Sequence, residues 1–160
     1  MELYCGIDLH SNNSVIVIIN EDDEVVYKMK HCNDLQEILP VLLPFRNQLK
    51  GIVVESTYNW YWLVDCLMDA GFKMHLANPS AIKQHEGLKH TDDKSDARFL
   101  AHVFRLGLLQ EGYICPKEQR SVRDLLRKRS QLVRQKTANV LSIQNLFTRN
   151  TGDGIQLKEF

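Results

Sequence analysis

The run Gly51-Ile52-Val53-Val54-Glu55 constrains this chain more than any other stretch. A short strand that is apolar on both faces has to be covered on both faces, and that is the habit of a buried parallel strand. Its neighbours fit that setting. Residues 3–7 (LYCGI), 14–19 (SVIVII) and 24–30 (EVVYKMK) are short runs rich in β-branched residues, separated by the turns HSNN and EDD, and they read as three strands in a meander. Leu35, Ile38, Leu39, Leu42 and Leu43 then recur at helical spacing. They predict a helix over 34–48, with Asn33 as its N-cap and Pro40 and Pro44 making it irregular. After GIVVE, residues 57–70 place Trp60, Leu63, Val64, Leu67 and Met68 on one helical face, and Gly71 ends that helix. Residues 72–77 return as a strand, and Asn78-Pro79-Ser80 opens a short helix. Residues 92–108 form another, packed through Ala97, Leu100, Ala101, Phe104 and Leu108. Strand–helix alternation after a three-strand start predicts an α/β fold with a mixed sheet.

With 160 residues and 44% hydrophobic content, the chain can bury the core of one globular domain. It has no 18-residue apolar run and no basic-then-apolar leader in MELYCGIDLH, so neither a membrane span nor a signal peptide is read. Cys5, Cys32, Cys66 and Cys115 are scattered, with no CxxC pair. That argues for packed, reduced thiols in a cytoplasmic protein rather than for zinc or disulfides.

The net charge is zero but unevenly distributed. Residues 1–55 carry nine acids against four bases, whereas residues 117–150 carry nine bases against two acids. An acidic half followed by a basic segment makes nucleic acid a candidate partner. Within that segment Arg120, Arg123, Arg127, Lys128, Arg129, Arg134 and Lys136 are the candidate phosphate contacts, against the plainer reading of a solvated helix face. Leu125, Leu132, Asn139 and Leu146 repeat every seven residues, as do Leu126, Val133, Val140 and Phe147. The segment therefore reads as one long helix with a heptad-like seam, suited to pairing with a second helix or a second copy of the chain.

The acids carry the chemistry. Asp8 follows the first strand and Glu55 ends GIVVE. If these strands are neighbours, both carboxylates meet at the carboxyl edge of the sheet, where α/β folds gather function. In the stretch TDDKSDAR (91–98), Asp93 and Asp96 are three apart and Asp92 and Asp96 four apart, so either pair shares a helical face. Converging carboxylates repel one another unless cations intervene, and hard oxygen donors suit Mg²⁺ or Mn²⁺. A pair of such ions can clamp the attacking and leaving oxygens of a phosphodiester. Taken singly, each acid also reads as a turn residue or a favourable charge at a helix N-terminus. His10, two residues after Asp8, reads as a turn histidine or as a neighbour of the site, and His102 as a surface histidine. Among Tyr58, Trp60, Tyr61 and Trp62, some are core and one or two could stack on a base.

Gly6-Ile7-Asp8, Val54-Glu55-Ser56-Thr57, Asn78-Pro79, Thr91 to Arg98 with Leu100-Ala101, and RLGLL (105–109) occur in the order seen in DEDD-type insertion-sequence transposases. The chain resembles the amino-terminal part of that family, which includes Piv-like DNA invertases, over almost its whole length. The resemblance implies a RuvC-like, ribonuclease H-like mixed sheet flanked by helices, followed by the long basic coiled-coil-like helix. It implies Mg²⁺-dependent DNA strand cleavage and exchange guided by a structured RNA. It implies Asp8, Glu55, Asp93 and Asp96 as the catalytic and metal-binding acids, the family spacing selecting Asp93 over Asp92. Tyr58 stands where many members have glycine. Full-length members add a carboxy-terminal domain with a nucleophilic serine, so residues 1–112 are expected to be the catalytic domain, 113–150 a helix for dimerisation and nucleic-acid contact, and 151–160 the start of a linker. On this reading the chain is an amino-terminal fragment. The competing readings are a Holliday-junction resolvase-like nuclease and a non-catalytic nucleic-acid-binding dimerisation module.

Overall fold

The computed structural model describes residues 1–56, 58–78 and 96–155. Residues 1–114 and 115–160 form two separate units. The first is built on one six-stranded sheet of order β3-β2-β1-β4-β5-β6. Its strands are β1 (Leu3–Leu9), β2 (Asn13–Ile19), β3 (Val25–Cys32), β4 (Leu49–Glu55), β5 (Met74–Ala77) and β6 (Glu111–Gly112). The β1–β2–β3 meander is antiparallel, β4 and β5 add in parallel to β1, and β6 closes the other edge antiparallel to β5. The two-residue β6 was not expected, because two residues carry no periodicity to read.

The two faces of the sheet are covered separately. Cys5, Ile7, Ile16, Ile18, Ile52, Val54, Met74 and Leu76 project to one side and pack with Ile38 and Leu42 of helix α1 (Leu35–Leu42) and Leu63, Val64 and Leu67 of helix α2 (Tyr61–Asp69). On the other side, Val17 and Ile19 meet Ala97 and Ala101, and Val53 and Ala77 meet Leu100, all from helix α3 (Asp96–Arg105). That division is why β4 is apolar on both faces. Gly6 lets α3 lie directly on β1: a Cβ there would stand 2.0 Å from the Ala97 carbonyl oxygen and 2.8 Å from the Ala101 nitrogen.

Several local expectations are corrected. The helix after β3 is capped by Asp34, whose carboxylate accepts from the Gln36 amide at 2.9 Å, and it yields at Leu43–Phe45 to a 3₁₀ turn. Asn33 ties the β1–β2 turn instead. Its Nδ2 donates to the carbonyls of His10 (2.9 Å) and Ser11 (3.1 Å), and its Oδ1 accepts from Ser14 at 2.6 Å. Met68 and Leu108 are exposed rather than packed. Residues 79–95 lie outside the described residues, and with them the helix expected to open at Asn78-Pro79-Ser80, apart from Asn78 itself, and the start of the one expected at 92–108.

The second unit is dominated by α4 (Lys117–Thr151), 35 residues long, ended by Gly152 in the left-handed conformation at φ 77°. Among the described residues, no helix is long and apolar enough to cross a membrane.

Candidate active site

β1 and β4 are parallel neighbours whose last aligned pair is Ile7 with Val54. Asp8 and Glu55 each follow by one residue. They therefore stand side by side at the carboxyl ends of adjacent strands, with Cα atoms about one strand spacing, roughly 5 Å, apart. Alternation along each strand puts Asp8 on the side of Gly6, and Glu55 on the side of Val53. Both belong to the face that α3 covers. Asp96 opens α3, one residue before the Ala97 that Gly6 admits to close contact. It is exposed, while Asp8 and Glu55 are half-buried. Asp93 and Asp92 lie outside the described residues. Among the described residues, no group of three or more acids, histidines and cysteines is already gathered tightly enough to hold a metal ion. The donors that are described, carboxylate oxygens on two strand ends and a helix start, are chemically those a hard divalent cation takes.

His10 belongs to this site. Its Nε2 lies 3.2 Å from Asp8 Oδ2, with the histidine side chain 53% exposed and the carboxylate 13%. The loop that carries it is fixed from both sides, since the His10 carbonyl accepts from Asn33 and also from Asn59 Nδ2 at 3.0 Å. Spacing leaves His10 open between a turn histidine and a neighbour of Asp8, and the fixing of its loop by two distant asparagines has no sequence signal. Of the aromatic cluster, Trp60 is core, edge-on to Tyr61 with ring centroids 4.5 Å apart, whereas Tyr58 is exposed.

α3 is held in place by charge as well as packing. Arg98, His102 and Arg105, at successive turns, converge on Asp23 in the β2–β3 turn. The distances are 3.4 Å (Arg98 Nη2), 2.8 Å (His102 Nδ1) and 3.4 Å (Arg105 Nε). Asp23 sits at φ 66°, a left-handed conformation that short polar side chains tolerate. His102 is thus an anchoring residue and not a surface histidine. The clamp fixes the element whose first residue is Asp96.

The basic residues of α4 are not equivalent. Arg120 is buried and its Nε donates to the Cys115 carbonyl at 2.8 Å, so it serves the start of its own helix. Arg123 is half-buried, and Arg127, Lys128, Arg129, Arg134 and Lys136 are exposed. Val122, Leu125, Leu126, Leu132, Val133, Ile143, Leu146 and Phe147 are exposed on the same helix, which leaves an apolar stripe uncovered.

A mixed six-stranded sheet with helices on both faces is a RuvC-like fold. The chain is similar in structure to Thermus thermophilus RuvC in complex with Holliday junction substrate, with a TM-score of 0.51 and 16% identity, over 70% of this chain and 100% of that one. A second Thermus thermophilus RuvC structure gives 0.49 and 16%, over 69% and 99%. At that identity the likeness shows the fold. The family follows from sequence: the model of the IS110-type DEDD family, described as transposase, matches residues 5–150, and the chain belongs to that transposase family. No curated protein matches the sequence.

Proposed function

We propose that residues 1–112 are the metal-dependent, nuclease-like domain of a DNA transposase or recombinase acting on DNA phosphodiesters in the cytoplasm. Asp8, Glu55, Asp93 and Asp96 are its catalytic acids and the ligands of Mg²⁺ or Mn²⁺. The observation that carries this reading is the placing of Asp8 and Glu55 on adjacent parallel strand ends, on the face that α3 covers. Membership in the transposase family supports it. When bound, the metal supplies neutralising charge and Lewis-acid polarisation at a phosphodiester oxygen. The protein's own part is to hold the acids. β1 and β4 set their separation, α3 brings Asp96 to the same edge, and His10 orients the Asp8 carboxylate.

Residues 113–150 supply nucleic-acid contact and self-association. The partners are DNA and a guide RNA, through the phosphate contacts of Arg123, Arg127, Lys128, Arg129, Arg134 and Lys136. Arg120, tied to Cys115, contributes least. The exposed stripe from Val122 to Phe147 pairs with the same stripe of a second copy, as heptad helices do. Light scattering at high concentration then gives a dimer or larger, and a monomer would refute the pairing.

Calorimetric titration of Mn²⁺ tests the site. Wild type binds and Asp8→Ala does not. Equal binding by the two proteins would remove the metal centre and leave a non-catalytic nucleic-acid-binding module.

A further inference from the structure

The sheet register strings a row of residues across the edge that carries the acids. Asp8 pairs with Val15, and Val15 with Lys30 on β3. In the other direction Glu55 pairs with Ala77, and Ala77 with Glu111 on β6. Side chains directly opposite one another in a sheet share a face. Read across, the row is therefore Lys30, Val15, Asp8, Glu55, Ala77, Glu111, all on the side that α3 covers. Glu111 confirms its own side by its 2.8 Å contact with His75 Nδ1, whose ring packs against Phe104 of α3. The next row toward the amino ends of β1 and β4 begins with Lys28, opposite Val17 and then Gly6. Both lysines are exposed.

Among the described residues, this row is electrically lopsided. Lys30 stands on the β3 side of Asp8, with Lys28 in the next row, and the Glu111 carboxylate stands on the β6 side of Glu55. Two strand spacings put Lys30 roughly 10 Å from Asp8, and two residues of rise put Lys28 about 7 Å from Lys30. A polyanion leaving the Asp8–Glu55 edge meets repulsion toward β6 and attraction toward β3. We propose that Lys28 and Lys30 are DNA phosphate contacts, and that the strand whose phosphodiester lies at Asp8 and Glu55 runs outward over β2 and β3. This rests on Asp8 and Glu55 being the cleavage site.

The test is duplex DNA binding by the 160-residue chain across a range of salt, alongside Mn²⁺ titration of wild type and Asp8→Ala. Each phosphate contact adds about 0.9 to the slope of log affinity against log salt, so Lys28→Gln with Lys30→Gln flattens that slope by about 1.8. Lys28→Arg with Lys30→Arg keeps it. Lys50→Gln with Lys73→Gln, at the opposite edge of the sheet, also leaves it unchanged. An unchanged slope in the double glutamine variant overturns the inference, as does an equal loss in the opposite-edge control or a wild type that does not bind DNA. If the slope is unchanged while Asp8→Ala abolishes Mn²⁺ binding, only the lysine track falls. If Asp8→Ala binds Mn²⁺ as wild type does, the site reading falls, and the inference with it.

Discussion

Gly6→Ala probes the contact that seats α3, which begins at Asp96, on β1. The added Cβ would lie 2.0 Å from the Ala97 carbonyl oxygen and 2.8 Å from the Ala101 nitrogen. Both are backbone atoms of α3, so no rotamer change relieves them. Bringing the shorter distance to the 3.0 Å that real contacts respect moves the helix by about 1 Å. A gap of that size forfeits a quarter to a half of the dispersion between the surfaces it separates. Here those are Ala97, Leu100 and Ala101 against Val17, Ile19, Val53 and Ala77. Overpacking typically costs about 1–3 kcal/mol, and a backbone clash belongs at the upper end, about 3 kcal/mol. For a unit of this size that lowers Tm by roughly 10 °C. Thermal unfolding followed by circular dichroism reads the loss. Mn²⁺ affinity, measured well below the transition, should fall as well, because Asp96 moves with α3. A Gly6→Ala protein within about 2 °C of wild type would refute the close packing of α3 on β1.

Asp23→Ala removes the carboxylate shared by Arg98, His102 and Arg105 and puts alanine at a left-handed φ. Discounted for partial exposure, about 2 kcal/mol is lost, with Asp23→Asn losing less in the same melts. Burial pushes the Cys5 thiol far above the usual range, so it stays protonated in the folded chain. The unfolded thiol ionises above about pH 8.5, so the unfolded state then holds fewer protons and this contribution to stability falls by about 1.4 kcal/mol per pH unit. Cys5→Ala should shallow the alkaline decline seen in urea unfolding between about pH 9 and 11. An identical decline would assign it elsewhere.

Much of the sheet is legible because its strands are β-branched runs bounded by turn residues, and because β4, apolar on both faces, required helices on both sides. The features that sequence does not reveal depend on contacts between distant residues. Asn33 and Asp34 are adjacent and both are good caps, and only the position of the β1–β2 turn gives Asn33 different work. The Asp23 clamp joins a turn to a helix some 75 residues later, and the separate basic residues of α3 gave no hint of it. Asp8 and Glu55 were readable as strand-end acids. Their adjacency is a consequence of strand order, which the sequence pattern leaves open.

If the proposed function is right, the carboxyl edge of β1 and β4 holds a divalent metal. The most direct measurement is anomalous diffraction from crystals of this chain grown or soaked with Mn²⁺. The expected result is an anomalous peak bonded to carboxylate oxygens of Asp8 and Glu55, at about 2.0–2.2 Å as hard six-coordinate cations require, and absent from Asp8→Ala crystals. Crystals saturated with Mn²⁺ that show no peak between these two residues, or a peak held by other groups alone, would contradict it.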